Sequence, residues 1–227
     1  MKTIILAGGK GTRFSGLTNL IPKPLIKLNE KPIITHIVEH YIRYKFNKFI
    51  IPVGYKGNNI KEYFYNFDLH NSDLTVKFEK NKKKINFNKN FSDISFEIID
   101  TGLNTLTALR LLKVKHLIKD KIFMLTYGDG ISDVNLNNLL KFHKNHKRIA
   151  TMTIVRPAGR FGEIEINSKS EINYFKEKPK LTKGWINGGF FVFNSEIFDY
   201  ISDRNEMLEI DALNKLSANN ELVGYKH

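Results

Sequence analysis

The sequence predicts an α/β protein with a mostly parallel sheet and helices on both faces, and three observations support this. Residues 2–7 (KTIILA) are an apolar run typical of a buried strand. Residues 33–42 carry apolar side chains at helical spacing, and residues 48–53 (KFIIPV) predict a second strand, followed by a short helix. Because this alternation is typical of parallel sheets with right-handed crossovers, we expect a Rossmann-like sheet with a small appended β region.

The first predicted strand runs into a glycine-rich loop, residues 8–13 (GGKGTR). Three glycines in four positions allow close approach of the backbone to a ligand, and successive amide N–H groups can bind an anion. Arg13 adds a forked cation, and Lys23 adds a point charge between two rigid prolines. Neither the P-loop spacing nor the G-x-G-x-x-G spacing is present. The combination predicts a polyphosphate site; for the loop alone, a solvated glycine turn is the alternative.

A second candidate site follows the apolar run of residues 121–127 (KIFMLTY), which predicts a buried strand. Asp129 comes directly after it, between Gly128 and Gly130. A carboxylate in this setting suits Mg²⁺, although aspartate and glycine are also common in ordinary turns. Because ligands of parallel sheets lie at the carboxyl ends of strands, we expect Asp129 near the glycine-rich loop.

The other segments predict supporting elements. Residues 79–93 are rich in lysine and asparagine and predict a long surface loop. Residues 105–115 predict a helix, and its N-terminus beside a glycine turn could bind a further anion. Residues 163–166 and 172–175 alternate polar and apolar side chains and predict a hairpin. Helices are expected to finish the chain, the last over residues 207–217.

Several motifs together resemble one known family. They are LAGGKGTRF with PKPL, TYGDG (126–130), GRFG (159–162), EKP (177–179) and INGGFFVF (186–193). In this order they resemble the sugar-phosphate nucleotidyltransferases over nearly the whole chain, and are closest to the glucose-1-phosphate cytidylyltransferase branch. The resemblance implies the nucleotidyltransferase fold and transfer of CMP from CTP to a small phosphorylated acceptor, with Mg²⁺ as cofactor. It implies glucose 1-phosphate or another sugar 1-phosphate as acceptor, for capsule or lipopolysaccharide synthesis.

The resemblance also implies roles for individual residues. The expected catalytic residues are Arg13, Lys23 and Asp129, with Asp129 as the metal ligand. The expected nucleotide-binding residues are Leu6, Ala7, Gly8, Gly9, Gly11, Thr12, Arg13, Lys23, Thr105, Arg110, Gly128 and Asp129. The expected acceptor-binding residues are Gly162, Glu177, Lys178, Asn187 and Gly188.

The chain departs from the branch in two places, which leaves alternatives open. Ala108 and Leu109 stand where the branch has two glycines, and residues 203–211 (DRNEMLEID) differ from the sugar-enzyme pattern. One alternative is CMP transfer to a non-sugar phosphate such as phosphoglutamine, in the capsule phosphoramidate pathway. An alternative of another class is a non-catalytic nucleotide-binding protein, which the presence of Asp129 and Lys178 disfavours.

The length of 227 residues predicts a single nucleotidyltransferase domain over residues 1–227. We expect residues 1–130 to bind the nucleotide and residues 131–227 the acceptor. The branch continues further, with another strand and a second metal-binding aspartate, so the C-terminal end is expected to be missing.

The composition indicates which kinds of partner and which cellular compartment to expect. The formal net charge is +13, but no nucleic-acid-binding module is recognisable, so we expect no nucleic-acid partner. We attribute the charge to compositional bias, with a local contribution from the attraction of anionic substrates. No apolar run is long enough to span a bilayer, and no membrane partner is expected. The absence of cysteine fits the cytoplasm. A homo-oligomer is left open, since in the branch the insertion matching residues 79–93 reaches toward a neighbouring subunit.

Overall fold

The computed structural model describes residues 1–11, 21–80, 82–88, 91, 93–156, 163–166, 168, 170–176 and 184–227. Within them the strands are β1 (Thr3–Leu6), β2 (Lys27–Leu28), β3 (Lys31–Pro32), β4 (Lys48–Val53), β5 (Asp73–Glu79), β6 (Lys82–Asn88), β7 (Ser95–Asp100), β8 (Ile122–Tyr127), β9 (Ala150–Val155), β10 (Glu163–Ile166), β11 (Ile172–Lys176), β12 (Ile186–Asn194) and β13 (Leu222–Lys226). The α-helices are α1 (Ile33–Arg43), α2 (Gly57–Tyr65), α3 (Phe67–Asn71), α4 (Thr107–Lys113), α5 (Leu136–His146) and α6 (Ala212–Ala218), and short 3-10 helices lie at Lys23–Leu25, Lys115–Leu117 and Ser195–Asp199.

Seven strands form the central sheet, in the order β13-β9-β12-β8-β1-β4-β7. β1 pairs in parallel with β4 and β8, β4 with β7, and β13 with β9. β12 runs antiparallel to both of its neighbours, β8 and β9. The predicted mostly parallel sheet is confirmed. Parallel pairing brings the carboxyl ends of β1, β4, β7 and β8 to one edge of the sheet, where ligands of such folds bind.

Alternate side chains of the central strands enter two separate cores. In β1, Ile4 and Leu6 pack into one core, and Ile5 packs into the other. The same division holds in β8, where Phe123 and Met124 lie on opposite faces. Strands buried on both faces are expected to be apolar throughout, which explains the uninterrupted apolar runs in the sequence. Helices α4 and α6 cover the first core and α1, α2 and α5 cover the second, so the prediction of helices on both faces is confirmed.

Two hairpins lie outside the central sheet. β10 and β11 pair in antiparallel fashion, as the alternation of polar and apolar residues predicted. β5 and β6 form a second antiparallel hairpin, from Asp73 paired with Asn88 to Glu79 paired with Lys82. The prediction of a surface loop over residues 79–93 is therefore wrong for its central part. The side chains of β6 are exposed, apart from half-buried Phe87. Only Ile85 and Phe87 alternate with polar residues, and this pattern is too short to have predicted the strand.

Two further differences concern the length of helix α4 and the C-terminal region. The helix predicted over residues 105–115 is shorter, since α4 spans only Thr107–Lys113. The helix predicted over residues 207–217 begins at Ala212, and the chain continues into β13, an edge strand parallel to β9 that the sequence analysis did not predict. Among the described helices none is long and apolar enough to cross a bilayer.

Candidate active site

A pocket of about 370 Å³ opens at the carboxyl ends of β1 and β8. Of the predicted nucleotide-binding residues, it is lined by Leu6, Ala7, Gly8, Gly9, Gly11, Lys23, Thr105, Arg110, Gly128 and Asp129. The sequence analysis did not single out the other lining residues, which are Lys10, Pro24, Leu106, Thr107, Tyr127 and Met207. The fold thus brings the glycine-rich loop, the PKP segment and the end of β8 into one cavity.

The glycines of the loop are required for different physical reasons. A Cβ atom on Gly8 would lie 2.1 Å from Nη1 of Arg110, so any side chain there would displace the guanidinium group. Gly11 has a φ of +65°, which favours glycine. A Cβ on Gly9 would meet nothing within 4 Å. Gly8 therefore makes room for a protein side chain, while Gly9 leaves open space at the pocket wall.

Arg110 is a buried cation, 2% exposed, that joins the strand ends around the pocket. Its guanidinium group donates to the carbonyl oxygens of Val53 (2.6 Å), Thr105 (2.5 Å), Gly8 (3.3 Å) and Gly102 (3.3 Å) and to the hydroxyl of Thr101. Burial lowers the pKa of Arg110, against the opposing effect of the Asp100 charge. These bonds fix the glycine-rich loop against β4 and the residues after β7. The nucleotide contact expected of Arg110 stays a prediction.

Lys23 and Asp129 form an ion pair at the pocket wall, with Lys23 Nζ 2.9 Å from Asp129 Oδ2. Lys23 begins a 3-10 helix between two prolines, and Asp129 follows the end of β8. The two side chains are 22% and 40% exposed, so the pair contributes little to stability. In this arrangement the Lys23 ammonium can bind the phosphates of a nucleotide, and the Asp129 carboxylate can bind the cation that accompanies those phosphates.

The donor set at Asp129 is compatible with Mg²⁺. In the described part of the chain, no three or more His, Cys, Asp or Glu side chains cluster closely enough to hold a metal by themselves. Mg²⁺ commonly takes only one or two carboxylates and completes its shell with substrate phosphates and water. Asp129, half-exposed beside the pocket, fits such a site when phosphates are bound.

Gly128 is explained by strand packing. Its N–H donates to the carbonyl oxygen of Leu6 at 2.9 Å, and a Cβ on Gly128 would lie 2.9 Å from that same oxygen. Glycine therefore allows the end of β8 to follow β1 closely up to Asp129. This close approach sets the position of Asp129 relative to the loop.

Tyr127 lies at the pocket beside two of the predicted acceptor residues. Asn187 donates through Nδ2 to the Tyr127 hydroxyl at 3.3 Å, and its Oδ1 accepts from the Gly189 N–H at 2.8 Å. A Cβ on Gly188 would lie 3.0 Å from the carbonyl oxygen of Thr153, so this glycine fits the neighbouring strand. The pairing of β12 with β9 is irregular between Asn187 and Phe191. The acceptor contacts of Asn187 and Gly188 stay predictions.

Residues 204–209, here called the covering segment, lie across the N-terminus of α4. The N–H of Leu106 donates to Asn205 Oδ1 at 2.7 Å, and the N–H of Ala108 donates to the Glu206 carbonyl at 3.1 Å. These amides already have partners, so the prediction of an anion site at this helix N-terminus is wrong for them. The same segment brings Met207 to the pocket wall.

Glu209 is a site residue that the sequence analysis could not place. It accepts a short hydrogen bond from the Tyr127 hydroxyl, and its second oxygen accepts from Thr107 Oγ1 at 3.1 Å. Its position depends on the covering segment packing against α4, which no local sequence pattern reveals. The remaining predicted residues lie outside the described part of the chain, so their roles stay predictions: Thr12, Arg13, Gly162, Glu177 and Lys178.

Comparisons with known proteins agree with this fold. The chain is 40% identical over 228 residues to the glucose-1-phosphate cytidylyltransferase of Salmonella typhimurium, which covers 100% of this chain and 88% of that protein. The Salmonella typhi enzyme of the same name matches at 40% identity, with the same coverage of 100% and 88%. The structure resembles HddC from Yersinia pseudotuberculosis, complexed with GMP-PN, with a TM-score of 0.70 and 19% identity over 100% of this chain and 90% of that chain. The family model for nucleotidyl transferases matches residues 2–226, and the chain therefore belongs to the nucleotidyl transferase family.

Proposed function

We propose that the protein transfers CMP from CTP to a phosphorylated acceptor, a sugar 1-phosphate such as glucose 1-phosphate, and releases pyrophosphate. The observation that carries this proposal is the shared pocket of the glycine-rich loop, Lys23 and Asp129 at the carboxyl ends of β1 and β8. Support for CTP and glucose 1-phosphate comes from the names of the relatives that are 40% identical. The product would be a CDP-linked sugar for capsule or lipopolysaccharide synthesis.

The chemistry is an in-line displacement at phosphorus. A phosphate oxygen of the acceptor attacks the α-phosphorus of CTP, and the bond from that phosphorus to the bridging oxygen of pyrophosphate breaks. Pyrophosphate leaves with the electron pair. An acceptor phosphate is already ionised near neutral pH, so the reaction requires no general base. The work of the protein is positioning and neutralisation of charge.

Each pocket group has a role in this proposal. The amide groups around Gly9 and Gly11 would hold phosphate oxygens, and Lys23 would place a positive charge beside the reacting phosphates. Asp129 would hold Mg²⁺, which supplies further positive charge at the phosphates when bound. Arg110 would keep the loop in its binding shape through its bonds to the strand ends.

The acceptor is the part of the proposal for which a second candidate deserves a test. The covering segment and Ala108, where the chain departs from the branch, contact each other, and Met207 of that segment lines the pocket. A changed pocket wall favours a changed acceptor, so phosphoglutamine is the second candidate.

The decisive experiment measures pyrophosphate release from CTP and Mg²⁺ with a panel of phosphorylated acceptors. The panel contains glucose 1-phosphate, other sugar 1-phosphates and phosphoglutamine, and the same panel is repeated with UTP, GTP, ATP and dTTP. We expect release with CTP and one acceptor. Release only with phosphoglutamine would replace the sugar acceptor, and no release with any pair would leave a nucleotide-binding protein.

The proposal also covers the oligomeric state of the protein. We infer a homo-oligomer in which the exposed β5–β6 hairpin contacts a second copy, with Phe78 at 80% exposure as its most exposed large apolar side chain. Light scattering coupled to size-exclusion chromatography, with a hairpin deletion as the comparison, would test this oligomeric state.

Each half of the chain is proposed to bind one substrate: residues 1–130 would bind mainly the nucleotide and residues 131–227 mainly the acceptor. Cytoplasmic location follows from the proposed substrates, which are cytoplasmic metabolites.

A further inference from the structure

The ring of Tyr127 is fixed on two sides. It packs edge-on against Phe191, with 5.7 Å between ring centroids and 90° between the ring planes. On another side it lies close to Gly189, where a Cβ would come within 3.1 Å of the ring. Gly189 has a φ of +81°, which also favours glycine. The ring therefore has little freedom, and its hydroxyl is held in one position on a residue that lines the pocket.

Hydrogen bonds then fix the hydroxyl itself. Its proton is donated to Glu209, and its oxygen accepts from Asn187 Nδ2 at 3.3 Å. A carboxylate can only accept, so the direction of the bond to Glu209 is determined. The hydroxyl is therefore held between a carboxylate that accepts its proton and an amide that donates to its oxygen.

Glu209 is itself held in place. Thr107, the first residue of α4, donates to its second oxygen at 3.1 Å, and the hydroxyl of Thr107 also accepts from the N–H of Leu208 at 2.8 Å. Leu208 is fully buried in the core, which anchors the covering segment beside Glu209. Glu209 thus connects the end of β8 to the start of α4, since each of its carboxylate oxygens accepts one hydrogen bond.

This arrangement defines what the Tyr127 hydroxyl can offer to a substrate. The hydroxyl donates its proton to Glu209, and one of its two lone pairs accepts from Asn187. Among the described residues no other group bonds to this oxygen, so one lone pair can accept from a substrate. We propose that Glu209 is a positioning residue that makes the Tyr127 hydroxyl a hydrogen-bond acceptor, and so selects acceptor substrates that carry a donor group. A sugar hydroxyl or an ammonium group would satisfy it, whereas an ether or carboxylate oxygen at that position would be rejected.

The proposal rests on the proposed function, and kinetics with two substrates test it. In Glu209→Ala the KM for the phosphorylated acceptor should rise about ten-fold, the usual effect of losing one oriented hydrogen bond, while the KM for CTP changes less than about two-fold. Glu209→Gln keeps an oxygen that can accept from Tyr127, so it should restore the acceptor KM to within about three-fold of the wild type.

Asn205→Ala is the matched control. Asn205 ties the same covering segment to the start of α4: its Oδ1 accepts from the Leu106 N–H at 2.7 Å, and its Nδ2 donates to the Asn104 carbonyl at 2.9 Å. In the described part of the chain it makes no hydrogen bond to Tyr127. If Glu209 only holds the segment down, Asn205→Ala should raise the acceptor KM as Glu209→Ala does. That result, or an unchanged acceptor KM in Glu209→Ala, would overturn the proposal.

A spectroscopic measurement separates this proposal from the proposed function. With 3-fluorotyrosine at position 127, the fluorine resonance should move in Glu209→Ala and stay close to the wild-type position in Asn205→Ala. If the wild type is inactive with every acceptor, the transfer reaction is refuted, while the fluorine spectrum still reports whether Glu209 holds Tyr127. An identical spectrum in wild type and Glu209→Ala would overturn the positioning role.

Discussion

Replacing Gly8 by alanine would place a Cβ 2.1 Å from Nη1 of Arg110 and 2.2 Å from its Cζ. Non-bonded carbon and nitrogen atoms do not approach this closely, so the guanidinium group must move by about 0.9 Å to restore even a 3.0 Å contact. The buried surroundings of Arg110 leave it little room to move. The substitution should therefore break hydrogen bonds while leaving the backbone conformation at residue 8 allowed.

The expected cost follows from the bonds that Nη1 makes, to the Val53 carbonyl and the Thr101 hydroxyl. A hydrogen bond from a charged donor contributes about 1.5–3 kcal/mol, so losing two of them should lower the free energy of unfolding by about 3 kcal/mol or more. Gly9→Ala is the matched control, because a Cβ there meets nothing within 4 Å, and it should change the free energy by less than about 0.5 kcal/mol.

Urea unfolding followed by far-UV circular dichroism measures both effects. The same Gly8→Ala change in an Arg110→Met background should cost less than about 1 kcal/mol, because the clashing group is gone. Two results would refute the reasoning. One is equal stability of the Gly8→Ala and Gly9→Ala proteins, and the other is the same cost of Gly8→Ala with and without Arg110.

Three further predictions concern the charges of the pocket and the buried histidine. Lys23→Ala should lower turnover by at least about 100-fold with little change in thermal midpoint, since its ion pair is partly exposed. The control is Lys31→Ala, which breaks an exposed ion pair away from the pocket and should preserve turnover. A fully active Lys23→Ala enzyme would contradict the assignment. Asp129→Asn should abolish the gain in CTP affinity that Mg²⁺ produces in calorimetric titrations, and an unchanged gain would exclude Asp129 as the ligand. Burial lowers the pKa of His143, so the unfolded chain binds the proton more readily and the stability of the fold should decrease as pH drops below about 6.5. Urea midpoints measured at several pH values should decrease less in His143→Gln than in the wild type. An equal decrease in both proteins would exclude this histidine as a cause.

The sequence revealed the parts of the site that carry a local signal. An apolar run followed by glycines marks the ends of β1 and β8, and Asp129 was predicted from that pattern. Lys23 was predicted from its position between two prolines shortly after the glycine-rich loop. The sequence did not reveal the contact between Lys23 and Asp129, because 106 positions separate the two residues along the chain. The pairing of β1 with β8 in the folded protein brings their segments together. The tertiary position of Glu209 was hidden for the same reason.

Other features were missed because the sequence carries only a weak local signal for them. Strand β6 exposes the side chains on both of its faces almost throughout, so its Lys- and Asn-rich sequence predicted a loop. The start of α4 was predicted as an anion site because helix N-termini carry unbonded N–H groups in general. The covering segment supplies partners to Leu106 and Ala108, and only the folded chain shows this.

The single reversed strand of the central sheet has a consequence for how this protein can evolve. Because β12 runs against its neighbours, its first residues lie at the same sheet edge at which β8 ends. The stretch formed by residues 184–186 can therefore change sequence at this edge while the buried half of the strand, Phe190 to Phe193, keeps the core intact. An all-parallel sheet would send that stretch to the opposite edge. Because β12 is reversed, mutations in its first residues can alter the sheet edge at which β8 ends without altering the buried core.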